Sequence, residues 1–325
     1  MGPTHSIQEP TGRKLFQRRL VTWYQRHKRE LPWRENRDPY RIWLSEIMLQ
    51  QTRVAAVIAY YQRFLQRFPT VEALAAAPDE NVLAAWSGLG YYRRARMLHA
   101  ASKKIVDEFG GKFPPTAVGL RGLPGVGRYT AAAIASIAFD EPIAVVDGNV
   151  ARVLHRVTGR LLAGEPLWQA ASELLSSKHA GDFNQAMMEL GATVCVPQAP
   201  DCPSCPVRGF CATRGPGSPS IKAIRRKREI HYTLNCRNRS VLLVQRAQNE
   251  SLMPGMWELP ELEANEQRES WLTVRHSITV TDYTVRVTKG SKSGDGQGRW
   301  VPKANVEALP LTGLTRKILR AAKIL

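Results

Sequence analysis

Between Lys14 and Val194 apolar residues return at three- and four-residue intervals, as in "LSEIMLQQTRVAAVIAYYQRFLQRF" and "NVLAAWSGLGYYRRARMLHAASKKIVDEF". That is the period of one helix face, so the spacing predicts a helical domain. Its interruptions carry Pro and Gly, in "FPTVEALAAAPDE", "FGGKFPPT", "LPGVGRYT" and "FDEPIAVVDGNV", and each suits a short connection between helices. From Arg214 to Arg228 the chain changes to Gly, Pro and Ser and then to charge, "RGPGSPSIKAIRRKR", which predicts an exposed linker. Beyond it "RSVLLVQRA" and "HSITVTDYTVRVT" alternate apolar with polar residues and are rich in β-branched side chains, so they read as strands. The final "LTGLTRKILRAAKIL" returns to helical spacing. The expected organisation is a mainly α domain over 14–213, a linker over 214–229 and a small α+β domain over 230–325, without an internal repeat.

Charge narrows the partner. The chain carries 46 Lys and Arg against 28 Asp and Glu, a formal net charge of +18, and the excess is spread along it in "RRLVTWYQRHKRE", "GYYRRAR", "RVLHRVTGR" and "IKAIRRKREIH". Such a surface favours a polyanion, most simply nucleic acid, because neutralised phosphates release condensed counterions. No apolar run approaches the roughly 20 residues of a membrane span, and "MGPTHSIQEPTGRKLF" lacks the apolar segment of a secretory signal. The expectation is an intracellular protein with no membrane partner.

Four of the five cysteines, Cys195, Cys202, Cys205 and Cys211, fall inside "CVPQAPDCPSCPVRGFC". In a reducing compartment such crowding points to metal ligation rather than disulfides. A zinc site usually presents two separated ligand pairs, often with histidine, whereas one ligand, a close pair and one ligand in a short loop is a common way to hold an iron-sulfur cluster. Spacing alone favours the cluster over zinc, with unligated thiols third. Cys236 stands apart and reads as a small buried apolar residue.

Three further features carry candidate chemistry. In "LPGVGRYTAAAIASIAF" Gly125 and Gly127 precede an apolar helix, so their backbone can approach a ligand while the first N–H groups of the helix point outward. A Gly-rich turn is usually only a turn; with the positive charge and the preceding "PTAVGLRG" it suits a helix-hairpin-helix on a duplex backbone. Asp147, after four apolar residues and before a helix, reads as an N-cap that could also stabilise a cationic sugar. Glu46 sits among Ile42, Trp43, Leu44, Ile47, Met48 and Leu49, where desolvation would hold a proton on it, although a glutamate on the exposed edge of a helix is the common alternative. One carboxylic acid and one carboxylate in contrasting settings are what glycosidic bond cleavage requires.

These residues carry a resemblance. With "LPWR", "WLSEIMLQQTRV", "GLGYYRRAR", "LPGVGRYTA", "VDGNVARV", "FNQAMMELG" and the four-cysteine loop, the stretch from about Leu15 to Cys211 is similar to the helix-hairpin-helix DNA glycosylases that include endonuclease III, most closely to the MutY-type adenine DNA glycosylases. The resemblance implies a 4Fe-4S cluster on Cys195, Cys202, Cys205 and Cys211, held to position a DNA-binding surface without a redox step. It implies that Glu46 protonates the adenine leaving group and later helps to activate water, that Asp147 stabilises the sugar cation and that Asn149 supports it. Gln50, Gln51 and Tyr91 match positions that probe or wedge the duplex, and Glu189 matches a pocket position contacting the flipped adenine; Tyr92 reads as an ordinary core residue. Bifunctional relatives carry a lysine directly after the hairpin, where this chain has Tyr129, so a monofunctional enzyme is implied.

The C-terminal part resembles the Nudix-like domain with which those enzymes recognise 8-oxoguanine. Gly255 and Glu261 fit the opening of a Nudix box, but Glu269, Ser270, Thr273 and Val274 stand where its paired carboxylates should fall, which implies recognition rather than hydrolysis. Where the family has a Phe-Ser-His-like triplet the chain has Ile278, Thr279 and Val280, leaving Thr279 and the nearby His276 as the candidate lesion contacts. The implied partner is double-stranded DNA with adenine opposite 8-oxoguanine or guanine, bound by a monomer. The implied compartment is the one holding DNA: cytoplasm in a bacterium, nucleus or mitochondrion in a eukaryote.

Overall fold

The computed structural model describes residues 4–215, 226–250, 252–262, 269–278, 281–290 and 298–325. Helices α1 (Pro10–His27), α2 (Pro39–Leu49), α3 (Val54–Arg67), α4 (Val71–Ala75), α5 (Asp79–Trp86), α6 (Arg93–Phe109), α7 (Ala117–Leu120), α8 (Arg128–Phe139), α9 (Gly148–Thr158), α10 (Glu165–Leu174) and α11 (Ala180–Thr193) make up the helical part. The break "FPTVEALAAAPDE" is more than a connection, since the good helix formers Glu72, Ala73, Leu74 and Ala75 close one turn as α4. Strands β1 (Arg226–Leu234), β2 (Cys236–Arg237), β3 (Ser240–Gln245), β4 (Trp257–Glu258), β5 (Leu272–Ile278), β6 (Thr281–Lys289) and β7 (Arg299–Pro302) follow, with α12 (Lys303–Val306) and α13 (Gly313–Ala321) after them. None of the described helices is long and apolar enough to cross a membrane.

Contacts divide the chain into two compact units. The first takes residues up to Tyr61, Thr70–Glu72 and Ala100 onward through the cysteine loop; the second takes Gln62–Pro69, Ala73–His99 and the C-terminal strands and helices. In the first unit Phe16, Leu20 and Tyr24 recur every fourth residue on α1 and bury against Phe183, Met187 and Leu190 of α11 and Val150, Val153 and Leu154 of α9. The cysteine loop is pinned to this core by Phe210, edge-on to Phe16 at 5.5 Å. Helix α8 is alanine-rich and buried, and Gly181 lets α11 come so close that a Cβ there would lie 2.5 Å from the Ser136 carbonyl oxygen. That approach, which only glycine permits, sets the distance between the helices that carry Tyr129 and Glu189.

In the second unit β6 lies between β1, parallel to it, and β5, antiparallel to it. A second sheet, of four short strands, orders β2-β3-β4, with β7 also on β3. The inward valines Val241, Val274, Val285 and Val287 pack with Ile318 and Leu319 of α13. Strand β1 begins at Arg226, inside the stretch expected as linker; its charged start faces solvent, where Glu229 pairs with Arg286 of β6. Glu269 and Ser270 precede β5, while Thr273 and Val274 lie in it. Cys236 corrects an expectation: it is exposed, because β2 is two residues long and leaves its side chains outside the core.

Candidate active site

Helix α2 is set by its N-cap, where Asp38 accepts a hydrogen bond from the Tyr40 amide at 2.9 Å, and by Pro39 in its first turn. Its buried side carries Ile42, Trp43, Leu44, Ile47 and Met48, and Glu46 is drawn in with them to 7% exposure. Burial pushes the Glu46 carboxyl up to about 7, against the hydrogen bond from Tyr129; the nearby Asp147 adds to the rise and Arg34 opposes it. The Tyr129 hydroxyl donates to Glu46 Oε2 at 2.8 Å and lies 3.6 Å from Met188 Sδ. Burial, then the facing carboxyls of Glu46 and Asp147, raise Tyr129 well above the usual tyrosine range, so it is a fixed donor.

Asp147 is the N-cap of α9. Its Oδ1 accepts from the Val150 amide at 2.7 Å and its Oδ2 from Asn149 Nδ2 at 2.8 Å. Asn149 is held in turn by Arg152, whose Nη2 donates to Asn149 Oδ1 at 2.8 Å and to the Gly191 carbonyl at 2.7 Å, while Nε reaches the Cys195 carbonyl at 2.8 Å. Gly191 admits this packing, for a Cβ there would lie 2.6 Å from that of Asn149. A chain of hydrogen bonds thus runs from the Asp147 carboxylate to the first residue of the cysteine loop.

Glu46, Gln50, Gln51, Tyr129, Asp147, Asn149 and Glu189 line one pocket of about 370 Å³. Gln50 ends α2 and donates through Nε2 to Thr130 Oγ1 at 3.3 Å; the exposed Gln51 has φ +57°. Glu189 is fully buried, yet the hydrogen bonds of Arg29 (2.7 and 2.9 Å) and Arg34 (2.8 Å) outweigh burial and hold it at about 2. The pocket therefore keeps one carboxyl poised near neutrality and another firmly ionised. Arg29, Arg34, Arg152 and Met188 were not singled out by sequence; "LPWR" was the available signal for Arg34, and Arg152 lies three residues, one helical turn, beyond Asn149.

Between α7 and α8 the hairpin is anchored by the buried Leu123 and Val126. Gly125 has φ +74°, and a Cβ on Gly127, the N-cap of α8, would meet nothing within 4 Å, so this face is open to a ligand. Tyr91 and His276 belong to the second unit. Tyr91 is 44% exposed with φ +48°; His276, on β5 opposite Tyr283, is lowered by burial and then by Lys317. Thr279 and Val280 lie outside the described residues.

All four loop cysteines, half-buried, line one cavity together with Arg156, Arg208 and Arg214. Arg156 Nη1 lies 3.2 Å from Cys195 Sγ, and Cys211 Sγ donates to the Thr213 carbonyl at 2.9 Å. Among the described residues no three His, Cys, Asp or Glu side chains are gathered into a metal-holding set. The donor chemistry fits an iron-sulfur group: four thiols and no competing carboxylate but Asp201 on one cavity, with guanidinium charge to balance thiolates.

Fold, hairpin and pocket define a class. Residues 44–161 match the family model described as HhH-GPD superfamily base excision DNA repair protein, and the chain belongs to that superfamily. A solved thermostable thymine-DNA glycosylase is similar at 31% identity and TM-score 0.58, over 62% of this chain and 95% of that one. A trapped endonuclease III-DNA covalent intermediate is similar at 25% identity and TM-score 0.54, over 61% of this chain and 93% of that one. Among curated relatives, the adenine DNA glycosylase of Rattus norvegicus is 41% identical over 81% of this chain and that of Homo sapiens 48% identical over 65%. The chain spans 63% of the rat protein's length and 41% of the human one's.

The buried carboxyl makes stability depend on pH. With its pKa raised from 4.5 to about 7, Glu46 holds more protons folded than unfolded between those values, so the stability it contributes is present below pH 4.5 and lost as pH rises through 7. Glu46→Gln removes the buried charge and should stabilise the protein by on the order of 3 kcal/mol at pH 8, falling below about 1 kcal/mol at pH 5. Urea unfolding at both pH values checks this; an equal effect at the two would show that Glu46 has an ordinary pKa.

Proposed function

We propose that the protein is a monofunctional adenine DNA glycosylase that removes adenine mispaired with 8-oxoguanine or guanine from double-stranded DNA in base excision repair. The observation that carries this reading is the neutral-range Glu46 carboxyl, hydrogen-bonded to Tyr129, in one pocket with Asp147. A base inside a stacked duplex is out of reach of such a pocket, so the target nucleotide is flipped into it. The basic surface, the open hairpin at Gly125 and Gly127, and the exposed Gln51 and Tyr91 support a duplex ligand that is gripped and wedged.

Glu46 is about half protonated at pH 7 and donates its proton to the departing adenine. The Tyr129 hydrogen bond to Oε2 leaves Oε1 as the acid oxygen. As the glycosidic bond breaks, positive charge develops on the sugar, and Asp147, fixed by the Val150 amide and by Asn149, opposes it without reorganising. Glu46, now ionised, accepts a proton from the attacking water. Among the described residues that line the pocket there is no lysine, which supports water rather than an enzyme amine as nucleophile. Glu189, its oxygens already engaged by Arg29 and Arg34, reads the flipped base as part of that charged cluster.

Cys195, Cys202, Cys205 and Cys211 would hold a 4Fe-4S cluster, which when bound cross-links the loop. Arg152 connects that loop to Asn149, so loop order and Asp147 orientation are coupled. Protein purified anaerobically should carry about four irons per chain; one zinc per chain instead would contradict the cluster.

The activity is tested with duplexes containing adenine opposite 8-oxoguanine, scored for base release under single turnover. Asp147→Asn should slow release by several orders of magnitude while retaining mispair binding. Efficient borohydride trapping of the wild-type protein on DNA, or release unchanged in Asp147→Asn, would overturn the reading.

A further inference from the structure

The turn between α5 and α6 holds three residues in the left-handed region within four positions. Gly88 and Gly90 have φ +104° and +73°, and Tyr91, with a full side chain, has φ +48°. A bulky residue holds such a conformation only where its surroundings over-determine it. Part of the support is local: Trp86 Nε1 donates to the Gly90 carbonyl at 3.2 Å, and Arg94 Nη2 donates to the Leu89 and Gly90 carbonyls at 3.4 and 3.3 Å. The Arg94 guanidinium also lies 5.5 Å from the centre of the Tyr91 ring.

The rest comes from more than 200 residues further along the chain. The Leu311 carbonyl accepts two hydroxyls, from Ser87 at 2.7 Å and from Tyr92 at 3.0 Å. The Tyr92 oxygen in turn accepts the Gly88 amide at 3.2 Å, and the Ser87 oxygen accepts from Nε of the buried Arg316 at 3.2 Å. Leu311 and Arg316 are fixed to one another: Thr312 caps α13 through the Thr315 amide at 3.2 Å, and its own amide bonds the Trp257 carbonyl at 3.0 Å. Elsewhere on α13, Lys317 Nζ donates to the Arg275 carbonyl at 2.6 Å, the residue before His276 on β5.

We propose that α13 is a strut that positions two recognition elements at once, the Tyr91 turn through Leu311 and Arg316 and the His276 end of β5 through Lys317. Leu311, Arg316 and Tyr92 are then positioning residues. The inference rests on the reading of Tyr91 as a duplex probe. Its logic is that an intercalating ring must keep its angle against a stacked helix, and a strained φ relaxes once the hydrogen bonds that enforce it are cut.

The test uses the full chain and a duplex with adenine opposite 8-oxoguanine, measuring single-turnover base release against protein concentration for Tyr91→Ala, Tyr92→Phe, Arg316→Met and the double variant Tyr91→Ala/Tyr92→Phe. Tyr92→Phe, which removes two buried hydrogen bonds, and Arg316→Met, which removes one, should each raise the half-saturating concentration at least about fivefold, with the maximal rate within about twofold of wild type. The double variant should be no weaker than Tyr91→Ala alone, since the hydroxyl acts through that ring. Effects that multiply in the double variant, or a fall confined to the maximal rate, overturn the proposal. If Tyr91→Ala leaves half-saturation unchanged, the probe reading fails, and amide exchange in the free protein decides the rest. Faster exchange at Gly88, Gly90 and Tyr91 in Tyr92→Phe and Arg316→Met supports positioning; unaltered exchange overturns it.

Discussion

One buried hydrogen bond, from Tyr129 to Glu46, sets the terms for the first unit. Burying a carboxyl among Trp43, Leu44 and Ile47 is unfavourable for its charged form, and a single phenol donor compensates only in part. The result is a group that holds its proton near neutrality. Three helices must converge to arrange this: α2 supplies the acid, α8 the phenol and α11 the Met188 sulfur beside it. Their approach depends on small residues, the alanines of α8 and Gly181 of α11, so packing and proton affinity share one cause.

The neighbouring carboxylates face the same cost and meet it differently. Glu189 is buried with two guanidinium partners and stays ionised; Asp147 sits at a helix N-terminus, where an amide and the Asn149 side chain fix its two oxygens. Glu46 thus holds its proton near neutrality while Glu189 stays ionised, because the two have distinct donors. The Arg152 bridge carries this arrangement outward to the carbonyl of Cys195, so the order of the cysteine loop bears on the carboxylate that faces the substrate.

Much of this was legible in the sequence, for identifiable reasons. Helical period located α2 and α8, Pro and Gly located the hairpin, and Asp147 before "GNVARV" announced its own N-cap, because these signals are local. Glu46 stood out because a lone acid interrupts an apolar face. Arg29, a guanidinium partner of Glu189, lies about 160 residues away and left no local trace, and nothing near Tyr92 foretold that its hydroxyl would bond Leu311. The division into units was equally hidden: Ala73–His99 groups with the C-terminal strands, a long-range pairing that composition cannot register. Cys236 shows the opposite failure, a small residue read as core that sits on a two-residue edge strand.

The site depends on Glu46 keeping its proton near neutrality, and a site-resolved titration of the glutamate carboxyls measures that directly. In protein labelled with ¹³C at the glutamate side-chain carboxyl, one resonance should titrate at about 7, vanish in Glu46→Gln and move higher in Tyr129→Phe, where the charged form loses its donor. A spectrum in which every glutamate titrates at or below the ordinary 4.5 would contradict the account at its centre.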